Sequence, residues 1–69
     1  MSREILQIGK NIKKLRKQKG LSKDRLSKLA NISHNMVIEL ESGGITNPSI
    51  GTLQKLAKAL NDSVDDLLR

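Results

Sequence analysis

Apolar residues recur along this chain at the spacing of an α-helix, and no segment shows the alternation of a strand. In the first segment Ile5, Ile8, Ile12 and Leu15 follow at steps of three, four and three, while Lys13, Lys14 and Lys17 fall largely off that stripe. Gly20, able to adopt the left-handed conformation needed just past a helix end, closes it. Ser22 offers an N-cap oxygen and Asp24 places negative charge in the next first turn. Leu26, Leu29 and Ala30 give that segment an apolar face, predicting a second helix over 23–30. Asn31 tolerates a positive φ and makes a tight turn, after which Ser33 caps a third helix over about 34–41 that buries Val37 and Leu40 and ends at Ser42-Gly43-Gly44. Past a loop with Ile45, Thr46, Asn47 and Pro48, Ser49 caps a fourth helix that has Leu53, Leu56, Ala57 and Leu60 at core spacing. Gly51 costs its first turn ~1 kcal/mol relative to Ala. Asn61-Asp62 breaks the pattern, and Ser63-Val64-Asp65-Asp66, a capping box with Asp in place of Glu, opens a last turn through Leu67 and Leu68. No linker, repeat or low-complexity tract interrupts these elements. Their short connections predict one compact all-α domain of five helices over residues 1–69.

Composition narrows what such a domain can do. The core must be aliphatic, because the chain has no aromatic residue and draws on 11 Leu, 7 Ile, 2 Val, 2 Met and 3 Ala. A domain of this size buries only about 60% of the surface its unfolded chain exposes, so its stability leans on local propensity and good packing. The absence of Cys excludes disulfides, thiolate metal sites and Cys nucleophiles. One His and scattered carboxylates make no nucleophile–base pair and no metal cluster, so neither an enzyme nor a cofactor or small-molecule substrate is expected. No apolar run exceeds three residues, and Met1-Ser2-Arg3-Glu4 leads into an amphipathic pattern, so the expectation is no membrane span, no signal peptide and a cytoplasmic location.

The charge is lopsided. Residues 1–28 carry ten Lys or Arg and two acids, a net of +8; residues 29–69 carry three and five, a net of −2, which together give the overall +6. A concentrated basic half favours a polyanionic partner, since Lys and Arg displace counterions from phosphate. A lysine-rich face is equally what a merely solvated helix shows, and charge alone leaves both readings open.

The ordered set Ile12-x-x-Leu15-Arg16, Gly20-Leu21-Ser22, Leu26-x-x-Leu29-Ala30, Ile32-Ser33, Val37-x-x-Leu40-Glu41-x-Gly43, Pro48-Ser49 and Leu53-x-x-Leu56-Ala57-x-Ala59-Leu60-x-x-Ser63-x-Asp65-x-Leu67-Leu68 resembles the lambda-repressor-like, Cro/repressor or Xre-type helix-turn-helix domain over nearly the whole chain. The resemblance implies a helix-turn-helix at about 22–42 whose third helix enters the major groove of double-stranded DNA. It implies a regulator of transcription, a repressor working as a homodimer on a palindromic operator whose half-sites lie about one helical turn apart. Physical reading and resemblance agree on the third helix: Val37 and Leu40 seat it, and its polar side is left to address base edges. His34, Asn35 and Glu39 fall where the family puts base-reading side chains. Asn suits adenine, His donates to guanine or phosphate, and Glu accepts from cytosine. Glu39 is alternatively an intramolecular partner, and Ile38 either meets thymine methyl groups or packs half-buried.

The resemblance further implies phosphate contacts from Ser22, Lys23, Ser33, Ser42, Thr46 and Asn47, and a structural ion pair between Arg16 and Glu41. A dimer interface is expected from Ile45, Leu60, Val64 and Leu68, though Leu60 suits closing the core better. There are departures from the family pattern: Lys23 stands where Gln is usual, Asn31 where Gly is usual, and Ser27 where Ala is usual. The loop from Gly44 to Asn47 lacks the Lys or Arg that many relatives carry there, so phosphate contact there rests on Thr46, Asn47 and backbone amides. A second reading is an antitoxin or other protein-interaction module using the same fold. A membrane-surface peptide fits poorly without aromatic anchors.

Overall fold

The computed structural model describes residues 7–69, so Ile5, expected to begin the first apolar stripe, lies outside the described residues. Five helices follow in order: α1 (Ile8–Gln18), α2 (Lys23–Ala30), α3 (His34–Ser42), α4 (Ile50–Leu60) and α5 (Val64–Leu68), with no strand among the described residues. α3 runs one residue further than expected, through Ser42.

The boundaries are made by short polar side chains. Ser22, Ser33, Ser49 and Ser63 each accept the amide three residues on, from Arg25, Met36, Thr52 and Asp66, at 3.0–3.1 Å. Each satisfies one of the donors that a helix start leaves without a partner. Asn31 (φ 57°) and Asn61 (φ 58°) end α2 and α4 in the left-handed region, which Asn tolerates better than other side-chain-bearing residues. At the last helix start Ser63 and Asp66 complete the reciprocal box: the Asp66 carboxylate accepts the Ser63 amide at 3.2 Å and its hydroxyl at 2.9 Å.

These helices enclose one aliphatic core, in which Ile12, Leu26, Val37, Leu40, Leu56, Leu60 and Leu67 are completely or almost completely buried, joined by Ile8, Ala30, Leu53 and Ala57. α3 packs on α1 and α2, α2 also packs on α4, and α5 closes the other side against α1 and α4. Asn11 ties that closure down by donating from Nδ2 to the carbonyls of Leu67 at 2.8 Å and Arg69 at 2.9 Å. Leu29 departs from expectation. It is 50% exposed, because Leu26 and Ala30, one turn apart, already fill the core-facing line of α2. Ser27 is buried instead, its hydroxyl donating to the Asp24 carbonyl at 2.6 Å.

Gly9 sits where α1 crosses α3. A Cβ there would collide with the Leu40 carbonyl and reach the Glu41 Cα at 3.4 Å. Gly9→Ala is therefore expected to cost about 1–3 kcal/mol in urea unfolding despite the better helix propensity of Ala. A raised midpoint would show that the crossing has slack. A pH effect follows from the last cap. The Ser63 backbone N–H, then its hydroxyl, hold the Asp66 carboxyl below the ordinary Asp value. A carboxyl lowered in the folded state stabilises it above the unfolded pKa, and that contribution is lost as pH falls through the folded one. The stability gap between wild type and Asp66→Asn should thus be constant above about pH 5 and shrink below it. A gap that stays constant into acid would remove the cap's charge as its cause.

Candidate nucleic-acid interface

α2, the turn at Asn31 and α3 form the unit that positions the site. The turn is closed by backbone bonds from Asn31 N–H to the Lys28 carbonyl (3.3 Å) and from Ile32 N–H to the Ser27 carbonyl (3.0 Å). In α3, Val37 and Leu40 face inward with Met36 partly covered, while His34, Asn35 and Ile38 (38% exposed) point to solvent. One short helix thus presents two chemically distinct sides.

What holds α3 in place is a buried charge pair. Arg16 donates from Nε to Glu41 Oε2 at 2.7 Å and from Nη2 to Oε1 at 3.0 Å, with the two side chains only 8% and 3% exposed. Nη1 donates to the Leu21 carbonyl at 2.7 Å, so one guanidinium binds α1, the loop after it and α3 together. The Glu41 hydrogen bond raises the Arg16 pKa further, against the opposing effect of burial.

The remaining expected site residues divide by what the fold leaves them free to do. Lys23 is half-buried beside the start of α2, and Thr46 and Asn47 are exposed on the loop after α3. Glu39 is half-buried, and its carboxylate folds back over Gly44, occupying the space that a side chain at 44 would need. Ser42 is exposed, but its hydroxyl is engaged locally: it donates to the Glu39 carbonyl at 3.2 Å and accepts from the Gly44 amide at 3.4 Å. His34 stands 4.0 Å through Nδ1 from Asp24 of α2, which also pairs with Lys28 at 3.2 Å. Ile45, Val64 and Leu68 are partly buried against the core and keep some surface. Leu60 does not: it is fully buried between helices and has nothing to offer a second protomer, which corrects the expected interface.

Comparison with known proteins agrees with this geometry. A helix-turn-helix family model matches residues 12–67, which is most of the chain. The chain belongs to the helix-turn-helix family. It is 36% identical over 66 residues to the transcriptional regulator PuuR of Escherichia coli (strain K12), a match covering 96% of this chain and 35% of PuuR. It is 39% identical over 61 residues to the transcriptional regulator SinR of Bacillus subtilis (strain 168), covering 88% of this chain and 55% of SinR. The chain therefore spans about a third of one relative and just over half of the other. A crystal structure of SinR in complex with DNA superposes with a TM-score of 0.87 at 39% identity, covering 90% of this chain and 98% of that one. The DNA-binding domain of the P22 C2 repressor superposes at 0.85 with 27% identity, covering 96% and 86%. The fold is thus the lambda-repressor-like one.

Within this helix-turn-helix domain, periodicity gave no notice of Gly9, Asn11 or the Glu39–Gly44 contact. A glycine inside an amphipathic helix is the one available signal, since it costs helix stability unless a neighbouring backbone comes close. The buried pair yields a sharp test. Glu41→Ala, which strands the guanidinium, should cost about 3–5 kcal/mol. Arg16→Met with Glu41→Leu should cost well under the sum of the single losses in a urea double-mutant cycle. Additivity within about 0.5 kcal/mol would mean the two charges are not coupled.

Proposed function

We propose that this chain is a sequence-specific double-stranded DNA-binding regulator of transcription. In this reading it acts in the cytoplasm as a repressor, as a symmetric dimer on two half-sites of a palindromic operator. The observation that carries the reading is α3: seated by Val37, Leu40 and the Arg16–Glu41 pair, it turns His34, Asn35 and Ile38 outward on a solvent-facing side. A helix held in this way fits the major groove, where each base pair shows a distinct set of donors and acceptors. The DNA-bound relative SinR, similar over nine-tenths of this chain, supports the same assignment.

In this reading Asn35 bridges an adenine edge, His34 contacts guanine or a phosphate, and Ile38 packs on a thymine methyl group. Glu39 reads cytosine only by leaving its place over Gly44, so it is ranked behind these three. Ser22, Lys23 and the first amides of α2 take one phosphate, and Ser33, Thr46 and Asn47 take others. Ser42 is the weakest of the phosphate candidates, its hydroxyl being engaged within the fold. One α3 reads too few base pairs for a selective site, which is the argument for a dimer. Ile45, Val64 and Leu68 are the residues proposed to form it.

Selection of bound duplexes from a random pool should return a defined, two-fold-related sequence. Against it, Asn35→Ala should lose about 1–3 kcal/mol of affinity in a titration, with little loss on unrelated duplex. Equal losses on both would make Asn35 a positioning residue, and no enrichment at all would overturn the reading.

A further inference from the structure

From residue 29 to residue 54 the chain has no Lys or Arg, and the same stretch contains Glu39 and Glu41. It includes all of α3, the loop after it and the first turn of α4. α3 and the loop after it thus bring no fixed positive charge of their own to a polymer that carries one negative charge per ~1.7 Å of axis, and Lys23 at the start of α2 is the one cation so far assigned to a phosphate.

α1 can supply that charge. Lys10, Lys13 and Lys17 follow at steps of three and four, so they stack along one face of α1, and all three are exposed. Their neighbours orient that face. Gly9 and Arg16, on the adjoining line of the helix, meet α3 at Leu40 and Glu41. Lys13 lies one turn on from Gly9, Lys17 follows Arg16, and Lys10 lines a groove together with Ser42, Gly43 and Thr46. The other flank of α1 is turned to the acidic end of the chain. Asn11 holds the end of α5, Lys14 and Gln18 line a groove with Asp62 and Asp66, and Lys19 lies 3.5 Å from Asp62. The cations of α1 therefore fall into two sets with different surroundings.

Resting on the DNA-binding reading above, we infer that Lys10, Lys13 and Lys17 form a track for the sugar-phosphate backbone beside the groove that α3 enters, and that Lys10 serves the phosphate which the uncharged 43–47 loop approaches. The track fixes affinity and its salt dependence and carries no base preference.

The test is a fluorescence anisotropy titration of the selected duplex and an unrelated duplex over a series of salt concentrations. Circular dichroism would confirm that each variant is folded, as expected for substitutions at exposed positions. The combined Lys10→Gln, Lys13→Gln, Lys17→Gln variant should lower the slope of log affinity against log salt by about 2–3, near 0.9 per phosphate, and weaken both duplexes alike. Lys14→Gln should leave the slope where it was. Adding Asn47→Lys to the triple variant should restore about 1 of the lost slope. An unchanged slope in the triple variant, or an equal fall with Lys14→Gln, overturns the track while the DNA-binding reading stands. No recovery with Asn47→Lys overturns the role given to Lys10. Failure of the unsubstituted chain to bind either duplex overturns both the track and the reading beneath it.

Discussion

The guanidinium of Arg16 is the joint on which the position of α3 depends. Taking two charges out of water costs several kcal/mol per ion, repaid only when geometry is good and the remaining donors find partners. Here both conditions hold: two parallel bonds reach Glu41 and a third reaches the Leu21 carbonyl. A hydrophobic pair of the same volume would fill the space, but it would not fix the rotation of α3 about its own axis. A planar, bidentate contact does. Gly9 sets the second coordinate, the distance, by letting α1 lie directly on the Leu40 carbonyl. With its far end fixed by these two contacts and its near end by the Asn31 turn, a nine-residue helix is held at both extremities. That fixity matters because a base edge is addressed by hydrogen bonds whose geometry tolerates little error.

Charge is distributed by a similar logic. The positive residues cluster on α1 and α2, the acids on α3 and around α5, and the segment proposed to approach the bases has no Lys or Arg. In such an arrangement attraction to the duplex and discrimination among sequences reside on different elements. Cationic phosphate contacts pull on any sequence equally, so a reading helix without Lys or Arg would let side-chain chemistry, not bulk charge, decide which site is preferred. The Lys19–Asp62 pair and the bonds from Asn11 to the Leu67 and Arg69 carbonyls keep the acidic end of the chain tied to α1, away from the proposed DNA face.

Much of the fold was legible because it is written in local chemistry. A serine one residue before an amphipathic run, an asparagine just after one, and a step of three or four between leucines each act over a few residues, and the helices begin where those signals stand. What could not be read depends on neighbours distant in sequence. Leu29 and Leu26 look alike on a helical period, yet one is half-exposed and the other buried, because the line facing α4 is already occupied. Leu60, at a spacing that suits either an interface or the core, is fully buried because the helices packed on α4 close over it. Arg16 and Glu41 lie 25 positions apart, and it was family likeness, not periodicity, that brought them together in the sequence reading. The collision at Gly9 belongs to the same class, a property of two backbones in contact, whereas the carboxylate over Gly44 is a local fold-back of the Glu39 side chain that periodicity does not register.

The caps show how structural and binding roles share one atom. A serine hydroxyl has two lone pairs and one proton. At Ser22 and Ser33 a lone pair is spent on the amide of Arg25 or Met36, which leaves the proton available to the phosphate oxygen proposed to meet it. The amides beside it point the same way, and the helix dipole adds partial positive charge at that end. Capping therefore leaves each of these two residues a donor, as the proposed phosphate contacts require. At Ser42 the order is reversed: the proton goes to the Glu39 carbonyl, so only lone pairs remain for a ligand that itself has nothing to donate. Serines of the same type and similar exposure thus differ in what they can do, and the difference comes from which end of α2 or α3 each one closes.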